Sequence, residues 1–208
     1  NNDELWAWGT NSSNKFGLTK EQQIEYTGRY AIKLNVENKK IYKVFCVQNA
    51  TFVVTISNGI YELYAAGYNS MGGLGVGDTE SHDRFVKCIG LSNPETLYSI
   101  EAYTNPVVAN IFVCKKDNIL EVYQSGLNRF SKDYYTNFVE ITRILDGNYG
   151  ENFANNIKQI KLFAGANMLV LTNDGILKLA TNENGHISLG GITNKTFTSK
   201  TFGLNDTE

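Results

Sequence analysis

The chain has 208 residues, 42% of them hydrophobic, enough to bury a core in one domain or two small ones, so wholesale disorder is excluded. Its 19 basic and 21 acidic residues leave a net charge of -2, which argues against a surface built to displace counterions from nucleic-acid phosphates. No apolar run approaches the ~20 residues a spanning helix needs. The opening Asn1-Asn2-Asp3-Glu4 carries neither an initiator Met nor a signal-peptide pattern, and reads as a processed chain or an excerpt.

Taken in order, the elements are short and mostly extended. A first strand, Leu5-Trp6-Ala7-Trp8, runs into Gly9-Thr10-Asn11. Thr19 followed by Gln22 three residues on predicts a capped helix of two turns over 19–26. Strands are predicted over 30–34, 41–45 and 52–56, the last running into Asn58-Gly59. Another carries Leu63-Tyr64-Ala65-Ala66 into Gly67-Tyr68-Asn69, and further strands follow over 85–89, 98–102 and 110–114. Beyond Asp117-Asn118 comes Val122-Tyr123-Gln124-Ser125 before Gly126-Leu127-Asn128, then strands over 138–144, 157–163 and 168–172. Asp174-Gly175 precedes Leu177-Lys178-Leu179-Ala180, and a polar tail over 191–208 is read as a strand pair or a frayed end.

Two interleaved series keep one period. The asparagine of the Gly-x-Asn motif recurs at Asn11, Asn69, Asn128 and Asn184, in steps of 58, 59 and 56, with Asn182 in the glycine place of the last copy. Asn58-Gly59, Asp117-Asn118 and Asp174-Gly175 recur in steps of 59 and 57. Asn-Gly and Asp-Gly tolerate positive φ at both central positions, so each junction is predicted to be a two-residue antiparallel hairpin. Four strands per unit of about 58 residues is the arithmetic of a propeller blade. The units fall at approximately 1–59, 60–118, 119–175 and a partial 176–208.

The segment Ala66-Gly67-Tyr68-Asn69 through Leu74-Gly75-Val76-Gly77-Asp78 resembles the repeat of the regulator of chromosome condensation (RCC1) family. So do Trp8-Gly9-Thr10-Asn11 through Phe16-Gly17, and Ala164-Gly165-Ala166-Asn167 through Asp174-Gly175. The resemblance implies an all-β fold, a β-propeller of four-stranded blades that is part of a seven-bladed ring. Four copies are too few to close such a ring, so the remaining blades are expected in further sequence or from a neighbouring chain.

Chemistry is sparse. Cys46, Cys88 and Cys114 show no C-x-x-C spacing and read as buried reduced thiols. His186 lies in a turn after Asn184-Gly185 with no carboxylate or cysteine beside it in sequence. Gly72-Gly73-Leu74-Gly75-Val76-Gly77 mimics a phosphate loop but leads into charged residues, where a helix would be needed. Lys39-Lys40 and Lys115-Lys116 do not extend into a basic patch. The most charged loop holds Asp78, Glu80, His82, Asp83 and Arg84; it lacks the glycine and closing glutamate of a calcium loop and is the candidate binding loop.

No nucleophile, metal or cofactor motif is present, so no catalytic or metal residue and no cofactor is assigned. The expected function is a non-enzymatic protein–protein interaction scaffold, with a small GTPase or a large complex as partner. Some relatives of the RCC1 type promote nucleotide exchange, but no residues here match an exchange wedge. The alternative is a structural or adhesive module of a large assembly such as a virion appendage, an effector or a ciliary complex. No direct nucleic-acid or membrane-spanning role is expected, and the location would be cytoplasmic or within a particle.

Overall fold

A computed structural model of the chain describes residues 4–104, 108–116, 119–127, 134–142, 154–163, 167–180 and 198–200. Three four-stranded antiparallel sheets and one two-stranded sheet make up the described strands. The two-stranded sheet pairs β1 (Leu5–Ala7) with β2 (Ile32–Leu34), and α1 (Lys20–Glu25) lies between them in sequence. The first full sheet is β3 (Lys40–Val47), β4 (Ala50–Ser57), β5 (Ile60–Gly67) and β6 (His82–Lys87). The second is β7 (Leu97–Thr104), β8 (Val108–Lys116), β9 (Ile119–Leu127) and β10 (Tyr134–Glu140). β11 (Ile157–Phe163), β12 (Asn167–Thr172), β13 (Leu177–Ala180) and β14 (Thr198–Lys200) form the third.

Local chemistry explains these elements. Thr19 caps α1: its hydroxyl accepts from the Gln22 N–H, and the Gln22 side chain accepts from the Thr19 N–H, closing the expected capping box. Asn58 at φ 50° and Gly59 at φ 76° join β4 to β5 in register Ser57↔Ile60, a two-residue turn whose twist matches the strands. The turn at Asp174-Gly175 differs from the expectation. Only Gly175 has positive φ, its N–H bonds Thr172 O, and the Thr172 N–H bonds Ile176 O, which gives a three-residue loop with a bulge at the glycine. Asp117-Asn118 lies outside the described residues.

Each full sheet joins four consecutive strands, so its boundaries fall about two strands later than those of the sequence units. The innermost strands lie side by side, β3 beside β7 and β7 beside β11. Lys43 on β3 donates to the carbonyls of Glu95 (2.7 Å) and Leu97 (3.0 Å), and Lys161 on β11 pairs with Glu101 on β7. One apolar core sits between the first two full sheets, with Phe52, Val54, Leu63 and Ala65 facing Leu97, Ile100, Tyr123 and Phe138. A second core, of Leu18, Leu34, Val36, Val53, Tyr64 and Phe85, joins the two-stranded sheet to the first full one. The described strands form no closed ring, and no helix among the described residues is long and apolar enough to cross a membrane.

One joint recurs between sheets. A Cβ on Gly17 would meet the Phe85 ring at 2.5 Å, and a Cβ on Gly75 would meet the Phe138 ring at 2.4 Å. Each phenylalanine sits on the outermost strand of its sheet, β6 or β10, and lies flat against a glycine of the preceding unit. The backbone laces the second joint: the Gly77 N–H bonds Thr136 O (2.9 Å), the Ile89 N–H bonds Gly75 O (2.8 Å) and the Phe138 N–H bonds Ile89 O (2.8 Å).

The joint is sterically closed, whereas the Asn58-Gly59 turn is open: Gly59 has nothing within 4 Å of a built Cβ, and Gly75 also has φ +68°. Gly75→Ala is expected to cost about 3 kcal/mol through strain and overpacking. Gly59→Ala, with backbone strain alone, is expected to cost about 1 kcal/mol. Urea unfolding midpoints of the two variants test the difference; equal losses would sink the steric reading of the joint.

Candidate functional site

The charged loop is organised by the Gly-x-Asn motif that precedes it. Gly67 ends β5 at φ +126°, and a Cβ there would stand 2.2 Å from the Asn49 carbonyl oxygen, so only glycine allows this approach. Asn69 is fully buried. Its Oδ1 accepts from the Leu74 N–H (2.8 Å), and its Nδ2 donates to the Asp78 carbonyl and to Asp78 Oδ1 (both 3.0 Å). The Asn69 N–H in turn donates to Ser81 Oγ (3.2 Å). One buried amide thereby closes a ten-residue loop from both ends, the role expected of this asparagine. Asn11 repeats the inner half of the device, accepting from the Phe16 N–H at 3.0 Å.

Asp78 and His82 come together. Asp78 Oδ1 accepts from the Glu80 N–H (3.0 Å), and the His82 ring Nε2 lies 3.1 and 3.2 Å from the two carboxylate oxygens. Glu80 is exposed and joins through its backbone only. His82, Asp83 and Arg84 are not loop residues: they open β6, with His82 paired to Gly67 across a bulge. Asp83 is half-buried there and Arg84 is exposed near Glu21, whose carboxyl is held below its ordinary value mainly by its own N–H and the Thr19 hydroxyl, with a smaller contribution from Arg84. The five candidate residues thus divide into an Asp78–His82 pair that pins the loop and three neighbours spread along its outer face. Among the described residues no three His, Cys, Asp or Glu side chains are placed to hold a metal ion. His186 lies outside the described residues.

A second constellation escaped the sequence reading. Glu4 Oε2 accepts from the Trp6 indole N–H (3.2 Å), Glu62 Oε2 from the Tyr64 hydroxyl (3.2 Å), and Glu121 Oε2 from the Tyr123 hydroxyl (3.1 Å). The Glu-x-aromatic pattern recurs at offsets of 58 and 59, in step with Gly-x-Asn, and that spacing could have revealed it. In the first two copies the carboxylate also pairs with a lysine cross-strand to the aromatic residue: Lys33 with Glu4 and Lys87 with Glu62, each at 2.5 Å. Lys39 adds a third contact at Glu62 (2.5 Å) and also donates to the Tyr64 hydroxyl. Hydrogen bonds from Lys39, then Lys87, hold the Glu62 carboxyl down at about 2, and Glu62 and Tyr64 raise the Lys39 ammonium above its ordinary value. In the third copy Glu140 stands opposite Tyr123 where a lysine would be. Burial, joined by Glu121 and Glu140 and opposed by Ser92, pushes the Tyr123 phenol up to about 12.

The cysteines divide. Cys88 is buried, its thiol donates to the Leu74 carbonyl at 3.3 Å, and burial pushes its pKa well up. Cys46 is exposed, against the expectation of a buried thiol. It alternates with Phe45 on β3 and so shares the face of Val53, where the two-stranded sheet covers β5 and β6 but not β3. The side chain of Cys114 lies outside the described residues.

No protein-family model matches the chain. Over 109 residues, 52% of its length, it is 32% identical to the X-linked retinitis pigmentosa GTPase regulator of Mus musculus, and the match covers 10% of that protein. The fold resembles the crystal structure of human WBSCR16 with a TM-score of 0.65, across 99% of this chain and 50% of that one, at 14% identity. The latter likeness is one of fold. Together with the repeated motif, the two matches support a distant relationship to RCC1-like proteins.

Two measurements test the site. Asn69→Ala leaves a buried Leu74 N–H unpaired and is expected to cost about 2–3 kcal/mol, whereas Asn11→Ala costs about 1 kcal/mol; equal costs would contradict the two-ended closure. Because the Glu62 carboxyl is depressed in the fold, its contribution is fully present above its ordinary value of 4.5 and lost as pH falls from 4.5 towards about 2. Glu62→Gln is expected to flatten the acid limb of the stability curve in that window, and an unchanged limb would remove the charge network from the account of stability.

Proposed function

We propose that the chain is a stretch of an RCC1-like β-propeller that acts as a non-enzymatic scaffold for protein binding, and that a small GTPase is its partner class. One observation carries this reading: the same glycine–phenylalanine joint is repeated from sheet to sheet in a chain 32% identical, over 109 residues, to a protein named as a GTPase regulator. Sheets stacked about neighbouring inner strands leave their connecting loops at the rims, where sequence varies without disturbing the joints. The Gly67–Asp78 loop and the start of β6 are such a rim, offering Glu80, Asp83 and Arg84 to a partner while Asn69, Asp78 and His82 hold the backbone.

The non-enzymatic part of the reading is supported by where the reactive groups go. Asp78 accepts from Asn69, Glu80 and His82, Glu62 is shared by two lysines, and the Cys88 thiol is buried against a carbonyl. Each is committed to holding structure, and none faces a cavity with a base beside it.

The test is a panel of small GTPases loaded with a fluorescent nucleotide. Saturable binding to a member of the panel, measured by calorimetry, with no faster nucleotide release is the expected result, and Arg84→Glu should weaken that binding about tenfold, the effect of ~1.4 kcal/mol. Accelerated release would replace the scaffold reading with exchange activity. Absence of binding across the panel would exclude the GTPase as partner.

A further inference from the structure

The offsets of 58 and 59 residues place Leu5, Trp6, Ala7 and Trp8 on Leu63, Tyr64, Ala65 and Ala66, and then on Val122, Tyr123, Gln124 and Ser125. Their surroundings differ sharply. Trp6 is 48% exposed where Tyr64 and Tyr123 are 3% and 5% exposed, and Trp8 is 72% exposed where Ala66 and Ser125 are fully buried. The cause is a missing neighbour. β4 covers the inner edge of β5 in register Val54↔Leu63, Val53↔Tyr64, Phe52↔Ala65 and Thr51↔Ala66. β8 covers β9 in register Val113↔Val122, Phe112↔Tyr123, Ile111↔Gln124 and Asn110↔Ser125. Among the described residues β1 pairs with β2 alone.

A second exposed region lies beside the first. Val44 and Cys46 on β3 share the face of Val53, on the side of the two-stranded sheet, and both are exposed. On its other side β3 is covered by β7, as β7 is by β11, each the innermost strand of the next sheet. The two exposed regions therefore call for two different strands: a third strand of the sheet, along β1, and an innermost strand, beside β3. A β-hairpin like β3–β4 supplies both.

We propose that the inner edge of β1 and the Val44–Cys46 face of β3 together receive an antiparallel β-hairpin from a separate polypeptide. Every described strand from β3 to β14 is already placed in a complete four-stranded sheet, so no described strand of this chain is left for the slot. Main-chain hydrogen bonds to the open edge supply affinity, and alternating side chains supply register. The strand against β1 carries the pattern that β4 presents to β5: branched residues opposite Leu5 and Trp6, and an aromatic or branched residue opposite Ala7. The inference rests on the offsets between sheets and stands whether or not the partner of the rim is a GTPase.

Trp6 and Trp8 are the two tryptophans of the chain, so its intrinsic emission reads this edge directly. The probe is a synthetic peptide of residues 40–57, which spans β3, its turn and β4, added to the 208-residue chain. A saturable blue shift and a several-fold drop in acrylamide quenching are expected with this peptide, and neither with the same peptide carrying Val53→Pro, which breaks the strand opposite Trp6. Equal shifts with both peptides would mean unspecific apolar adsorption and overturn the proposal. So would tryptophans already shielded in the chain alone, because its own residues would then fill the slot. Shielding that grows with the concentration of the chain itself would overturn it in favour of a second copy.

Discussion

The glycine–phenylalanine joint is the constraint on which the other arrangements depend. A phenyl ring pressed onto a backbone with no side chain brings two sheets closer than any pair of larger residues allows. At that separation the loop after one sheet's third strand reaches the next sheet's outermost strand, and the Gly75, Gly77, Ile89, Thr136 and Phe138 backbones bond across it. The ring of Phe138 belongs to the same core as Phe52, Val54 and Leu97, so the apolar burial and the hydrogen-bonded lacing stabilise one interface. Asn69 acts one step upstream: by holding the loop it delivers Leu74 and Gly75 to that interface.

The joint also explains why the candidate binding residues lie where they do. A loop whose middle is committed to a neighbour's outer strand has only its far side to offer. Leu74, Gly75 and Val76 face the core, whereas Glu80 and Arg84 remain at the surface. His82 is the boundary between the two regimes, bonded to Asp78 in the loop and paired to Gly67 in the sheet. A loop built this way varies at its outer face at little cost to stability, the property a recognition surface requires.

Much of this was legible in the residues, and the parts that were not have physical reasons. The helix cap at Thr19, the turn at Asn58-Gly59 and the closing role of Asn69 depend on neighbours within about ten residues, and pattern alone located them. The turn at Asp174-Gly175 was misread because Asp-Gly suits both a two-residue turn and a bulged three-residue loop, and the choice is made by the register of β12 against β13. Arg84 and His82 were read as loop because charge marks a solvated position, yet an outermost strand is solvated too. Cys46 was read as buried because its strand alternates correctly; what uncovers it is a strand absent from the other side, which no local pattern encodes.

The repeats share a frame but not its electrostatics, and the difference is itself informative. Glu4, Glu62 and Glu121 each hold an aromatic tip, and the residue opposite that aromatic is Lys33, Lys87 and then Glu140. In the first two sheets a cation neutralises the carboxylate. In the third, two carboxylates flank a phenol, and the surface of β10 is more negative than that of β6 at the matching place. The fold tolerates the reversal because Tyr123 stays neutral, its ionisation opposed by burial and by both carboxylates, and its hydroxyl keeps the bond to Glu121. The aromatic latch thus survives a change of charge beside it. Successive outer strands are free to present different potentials to a partner while the joints beneath them are unchanged, and a partner that reads charge can distinguish one sheet from the next.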